Sequence, residues 1–144
     1  LFGVLWQAWS LQIAVAVFLQ ETEAQGVTPV QFAALQSVAN QPGIDQRTLA
    51  ATIAFDTSTI AGVIDRLEAR GLLLRTVAPE DKRVRLLTLT RDGDKLLAAV
   101  GPGVLRAQER MLAPLRKAER AEFMRLLRML VDANNAHSRA PGGT

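Results

Sequence analysis

The sequence predicts a mainly helical α+β fold: six α-helices and one two-stranded β hairpin, forming a single domain. Three observations carry this reading. Leu, Ala and Arg dominate a chain of 144 residues that is 49% apolar and 5% aromatic, a composition that favours helix by intrinsic propensity. Ile60, Val63, Ile64 and Leu67 recur at i, i+3, i+4 and i+7, which marks one buried helical face. Leu72–Val77 and Val84–Leu89 flank the charged loop 78–83 and read as paired strands.

The first helix is expected from Phe2 to Glu23, stopped at Gly26. Residues 1–20 carry no charge, but Gln7, Ser10, Gln12 and Gln20 interrupt the run, so no membrane span is expected. A helix apolar nearly all round is otherwise one buried against several neighbours, as when two subunits share it. The second helix opens with complete local signals. Thr28 is placed to cap it, Pro29 suits the first helical position, and Gln31 completes a capping box. Val27 and Phe32 form a hydrophobic staple across that cap, and Phe32, Leu35 and Val38 form the expected core stripe.

Asn40-Gln41-Pro42-Gly43 breaks the chain before Asp45 caps a short third helix. Leu49, Ala50 and Ile53 are its inward residues. After Ala54-Phe55, Asp56 caps a fourth helix that runs through Arg70 and stops at Gly71, a left-handed position. Two short capped helices joined by a tight turn are a helix-turn-helix. A lone hairpin is marginal in water and must pack on these helices, so helix, helix and hairpin together make a winged helix. Thr90 caps a fifth helix, which Gly101-Pro102-Gly103 is expected to kink or split. A sixth helix is expected from near Lys117 to Asn135, with Phe123, Leu126, Leu127 and Leu130 on one stripe, and a disordered tail over 136–144.

Composition also excludes chemistry. There is no cysteine, and the single histidine, His137, stands beside the tail. Disulfides, thiolate metal sites and histidine-based catalysis therefore lack material. Asp92 and Asp94 read as favourable charge in a first helical turn. No nucleophile–base set or phosphate-binding glycine loop accompanies them, so neither an enzyme, a metal site nor a cofactor is expected.

Net charge is only +3, but its distribution is uneven. Residues 1–46 hold no Lys or Arg, while Lys82, Arg83 and Arg85 cluster at the hairpin. The outer side of the fourth helix carries Thr57, Ser58, Thr59, Ala61 and Gly62. Small residues permit close approach to a major groove, and the helix N-terminus adds partial positive charge. Arg66 and Arg70 follow one and two turns later, placed to reach phosphates. The hairpin tip, with Lys82, Arg83 and Arg85, extends towards a minor groove, where arginine is favoured. Asp81 is expected to hold Arg83 or Lys82 in place. These residues point to double-stranded DNA as partner.

A homodimer follows from the same physics. One recognition helix contacts few base pairs, whereas two related by symmetry read a palindrome. The first helix, the fifth and the Phe123 stripe need neighbours beyond a compact winged helix, so residues 1–26 and 94–135 are expected to form the dimerisation region around a DNA-binding lobe over 28–93.

Two runs make the comparison specific. Asp65-Arg66-Leu67-Glu68-Ala69-Arg70-Gly71-Leu72, and Asp81-Lys82-Arg83 followed by Leu86-Leu87-Thr88-Leu89-Thr90 and Gly93, resemble the recognition-helix end and wing signature of the MarR family. The resemblance implies a dimeric, bacterial, cytoplasmic winged-helix regulator, usually a repressor, released from DNA by a small aromatic or phenolic ligand. It places Thr57, Ser58 and Thr59 where bases are read and Arg83 where the wing enters the minor groove. It also implies an effector pocket near Trp6, Trp9, Gln12 and Ile13 of the first helix and Phe32 of the second. An acidic aromatic would need a cation from Arg47, the wing, the fifth helix or the other subunit; a neutral or hydroxylated one fits Gln7, Ser10, Gln12 or an indole N–H equally well. The chain departs from the family at Gly62, where many members carry arginine, and at Arg116, where a capping serine is common. The rival reading is a winged helix used for protein contacts, an antirepressor-like module without DNA binding.

Overall fold

The computed structural model describes residues 12–138 and builds the fold from six helices and a small sheet. Helix α1 is described over Gln12–Glu21 and a 3-10 turn over Glu23–Gln25 follows it; then come α2 (Pro29–Asn40), β1 (Ile44–Asp45), α3 (Gln46–Thr52), α4 (Thr57–Ala69), β2 (Leu73–Val77), β3 (Arg85–Leu89), α5 (Arg91–Leu112) and α6 (Lys117–Ser138). The chain is a mainly helical winged helix.

The caps form where local chemistry placed them. Thr28 accepts from the Gln31 amide while the Gln31 side chain accepts from the Thr28 amide, a closed capping box that satisfies two orphan donors. Asp45, Asp56 and Thr90 cap α3, α4 and α5 through the amides of Thr48, Thr59 and Gly93. Gly71 adopts φ +70° after α4. At α6, where Arg116 takes the place of the serine common in the resembled family, half a capping box forms: Glu119 reaches back to accept from the Arg116 amide at 2.8 Å.

Ile60, Val63, Ile64 and Leu67 are buried with Ala34, Leu35, Val38, Leu49 and Ala50 in one core. Phe32 is only half-buried; it turns from that core to Phe18 of α1, with ring centroids 6.0 Å apart. Its position joins the second helix to the first.

Three expectations are corrected. The sheet has three antiparallel strands in the order β1-β3-β2, because Ile44 pairs with Leu87 and Asp45 with Leu86. A two-residue strand has no periodicity to read, and its pairing is decided by the return of β3. Secondly, α5 is unbroken through Pro102. Val100, Gly103 and Ala107 are buried along it, so one lost backbone bond is outweighed by packing on both sides of the proline. At Gly103 a Cβ would stand 2.4 Å from the Glu21 carbonyl oxygen; α1 therefore crosses α5 there at backbone contact. Finally, α6 continues to Ser138, past the expected end at Asn135, and the remainder of the tail expected to be disordered lies outside the described residues.

Glu21 fastens the same crossing. Arg106 and Arg110 donate to its carboxylate at 2.9 and 2.8 Å, and these bonds, Arg110 first, hold its pKa below the usual carboxylate value. By contrast, every residue from 121 to 134 on α6 is exposed. Among the described residues, Phe123, Leu126, Leu127 and Leu130 form an exposed apolar stripe, Leu130 being 62% exposed. Among the described residues, no helix is long and apolar enough to cross a membrane.

Candidate nucleic-acid interface

The N-termini of α3 and α4 and the tip of the hairpin open onto one cleft of about 740 Å³. Asp45, Gln46, Arg47 and Thr48 line it from α3, Thr57 from α4, and Asp81, Arg83, Val84 and Arg85 from the wing. The sequence places Thr57 about 26 residues before Arg83; the sheet brings them to one wall because β3 folds back against β1 at the start of α3.

Within this site the predicted residues divide into free and committed groups. Thr57 is exposed and its hydroxyl makes no hydrogen bond among the described residues. The hydroxyls of Ser58 and Thr59 instead donate to the Asp56 carboxylate. These bonds, Ser58 first, push the Asp56 pKa far down. With their protons so held, the Ser58 and Thr59 hydroxyls keep only lone pairs for further bonds and can accept but not donate. Arg66 is exposed and lies over Gly62, where a Cβ would meet its Nη2 at 3.6 Å. With no side chain at Gly62, the Arg66 guanidinium lies across that position on α4.

The wing carries its cations outward. The Arg83 amide and Nε donate to Asp81 at 2.9 and 3.2 Å, while the side chain stays 91% exposed. These bonds, the amide first, lower the Asp81 pKa. Asp81 thereby orients Arg83, as the sequence suggested. Arg85 donates to the Lys82 carbonyl at 2.6 Å, which folds it along the loop, and Lys82 itself is exposed. Behind them, Arg75 of β2 donates to both Glu68 and Asp65 of α4 at 2.6 Å. This pair of carboxylates raises the Arg75 pKa, Glu68 more than Asp65, and ties the wing to α4.

Two arginines stand elsewhere than the sequence implied. Arg70 does not stand free on the outer face of α4. Its guanidinium donates to the carbonyl oxygens of Gly26 and Gln25 at 3.1 and 3.4 Å, because the end of α4 abuts the turn after α1 and those carbonyls have no helical partner. Arg47, which the charge pattern did not single out for DNA, lines the cleft and is exposed. Its signal was present in the sequence: it is the one cation in the first turn of the first helix of the helix-turn-helix.

Of the expected effector residues, Trp6 and Trp9 lie outside the described residues. Gln12 is exposed, Ile13 is 68% exposed and Phe32 packs on Phe18. None of these lines the hollow of about 440 Å³ between the end of α1 and the start of α2, bounded by Leu19, Gln20, Thr22, Glu23 and Val27.

The MarR family model matches residues 27–84, the stretch from the Thr28 cap to the wing tip. The transcriptional regulator HosA of Escherichia coli O111:H- is 36% identical over 111 residues, covering 77% of this chain and 82% of that protein. The chain belongs to the MarR family. This MarR chain spans 66% of the length of the Thauera aromatica regulator of the hcr operon that it matches and 82% of HosA. Its fold superposes on the transcriptional repressor CouR bound to a 23-mer DNA duplex, with TM-score 0.82 and 29% identity, covering 91% of this chain and 92% of that one. It also superposes on Bordetella bronchiseptica BpsR, whose DNA binding is regulated by 6-hydroxynicotinic acid, with TM-score 0.81 and 33% identity, covering 89% and 96%. This MarR protein is accordingly a transcriptional regulator with a DNA-binding winged helix.

Proposed function

We propose that the protein is a homodimeric repressor that binds a palindromic operator and is released by a small aromatic or phenolic ligand. The observation that carries the DNA reading is the shared cleft, in which Arg47, Thr57, Arg83 and Arg85 meet from three elements. Thr57, with the acceptor face of Ser58 and Thr59, reads base edges in the major groove; Arg47 and Arg66 take phosphates; Lys82, Arg83 and Arg85 follow the wing to the neighbouring minor groove. The α6 stripe, exposed among the described residues, supplies the apolar surface through which two copies pair, as obligate interfaces resemble a core cut in half. The pairing sets two recognition helices about one DNA turn, roughly 34 Å, apart.

BpsR and its hydroxylated pyridine acid support the effector class, with Trp6, Trp9, Gln12, Ile13 and Phe32 as the residues to test. Such a ligand releases DNA only by binding the DNA-incompetent dimer more tightly than the competent one.

A gel shift with a duplex selected from random sequence, run over a salt series, tests the reading. Retention at low salt that falls steeply with rising salt is expected from counterion release. A duplex that is never retained at low ionic strength overturns it in favour of a protein-contact module. Thermal-shift screening of hydroxylated aromatic acids, followed by the same gel shift, tests the effector.

A further inference from the structure

Between the crossing of α1 with α5 and the recognition helix runs a short connector, residues 21–28, held from both sides. At one end Glu21 is gripped by Arg106 and Arg110 of α5. At the other, the carbonyls of Gln25 and Gly26 are gripped by Arg70. Gly26 adopts φ +60°, the left-handed conformation that closes the turn after α1. Thr22, buried between these grips, donates to the Phe18 carbonyl at 2.8 Å, so the connector leaves no slack where it departs from α1.

Arg70 is the C-cap of α4. It stands 13 residues beyond Thr57, about 20 Å along the helix axis, and so at the end remote from the cleft. Its five N–H groups form a rigid fork, and two of them are spent on adjacent carbonyls of a segment 44 residues away in sequence. An arginine committed in this way fixes direction rather than supplying charge to a phosphate.

We infer that Arg70 is a positioning residue: by clasping the Gln25 and Gly26 carbonyls it fixes the angle of the recognition helix to α1 and α5, and thereby the distance between the two recognition helices of the dimer. The inference rests on the proposed DNA-binding reading and names a specificity role within it. Its consequence is discrimination of half-site spacing, since one inserted base pair displaces the half-sites by about 3.4 Å.

The test uses the full chain and a palindromic duplex selected from random sequence by the wild-type protein, together with versions carrying one base pair inserted or removed at the centre. Affinities are measured over a salt series for wild type, Arg70→Gln, Arg70→Lys and Arg66→Gln. For both Arg70 variants the expected result is a severalfold smaller preference for the selected spacing, with the salt dependence of the wild type. Arg70→Lys is decisive because it keeps the charge but not the fork. Arg66→Gln is expected to lower the salt slope by about 1 with spacing preference retained. A reduced salt slope in Arg70→Gln with full recovery in Arg70→Lys makes Arg70 a phosphate contact and overturns the inference. Unchanged spacing preference in both variants also overturns it. Failure of the wild type to select any duplex is a separate outcome, which overturns the DNA-binding reading itself and this inference with it.

Discussion

Gly93 lies directly against the backbone of Leu72: a Cβ on the glycine would stand 2.0 Å from the Leu72 carbonyl oxygen. The first turn of α5 is thereby seated on the entry to the wing. The Thr90 amide donates to that same carbonyl at 3.1 Å, and the Thr90 hydroxyl donates to the Gly71 carbonyl at 2.6 Å. The glycine that ends the wing signature is required by close packing between two backbones, at ordinary φ.

Gly93→Ala is therefore expected to lower stability by about 1–3 kcal/mol, the usual cost of forcing a group into a filled space. The obstacle is backbone, which yields less readily than a flexible side chain. Urea unfolding checks this, with the midpoint falling and the slope unchanged. A midpoint equal to that of wild type would show that α5 tilts away without cost.

The Asp56 cap makes a prediction about acid. Hydrogen bonds from Ser58 and Thr59 depress its folded pKa below the unfolded value of about 3.9. A group with a depressed folded pKa stabilises fully above the unfolded pKa and loses that stabilisation as pH falls through the folded one. The wild-type advantage over Asp56→Asn should thus be constant near neutrality and shrink below about pH 4. Parallel stability curves for the two proteins down to pH 3 would contradict the cap as the source.

At the interface, Arg83→Ala should weaken operator binding by roughly 1–3 kcal/mol if the wing makes a strong groove contact. Arg47→Ala should weaken all duplexes about equally and reduce the salt slope by about 1, the behaviour of a phosphate contact. Thr57→Ala should change which sequences are selected while leaving the salt slope intact. Fluorescence anisotropy on selected and scrambled duplexes separates the three, and an Arg83→Ala protein with wild-type affinity would take the wing out of the mechanism.

The α6 stripe predicts the assembly. Leu127→Glu with Leu130→Glu places two charges on the face formed with Phe123 and should convert a dimer to monomers, with operator affinity falling in step. Sedimentation equilibrium reads the first effect and anisotropy the second. A double variant that sediments as the wild type would move the dimer contact elsewhere.

The local signals in the sequence determined the helices and pointed to Thr57, Arg83 and Arg85, which line one cleft. Thr28, Asp45, Asp56 and Thr90 each bond an amide within three residues, and the period of Ile60, Val63, Ile64 and Leu67 fixes one inward face. Such interactions are complete within a few residues of chain, so they can be read without knowing the fold. What the tertiary structure decided involves partners far apart in sequence. Ile44 becomes a strand only when Leu87 arrives beside it, and α5 passes Pro102 unbroken because α1 packs on Gly103. Arg70 turns from the outer face of α4 to the Gln25 and Gly26 carbonyls, while Arg47 enters the cleft because the wing folds over it. A side chain with several accessible directions takes the one offered by unsatisfied groups nearby, and only the folded chain specifies which groups those are.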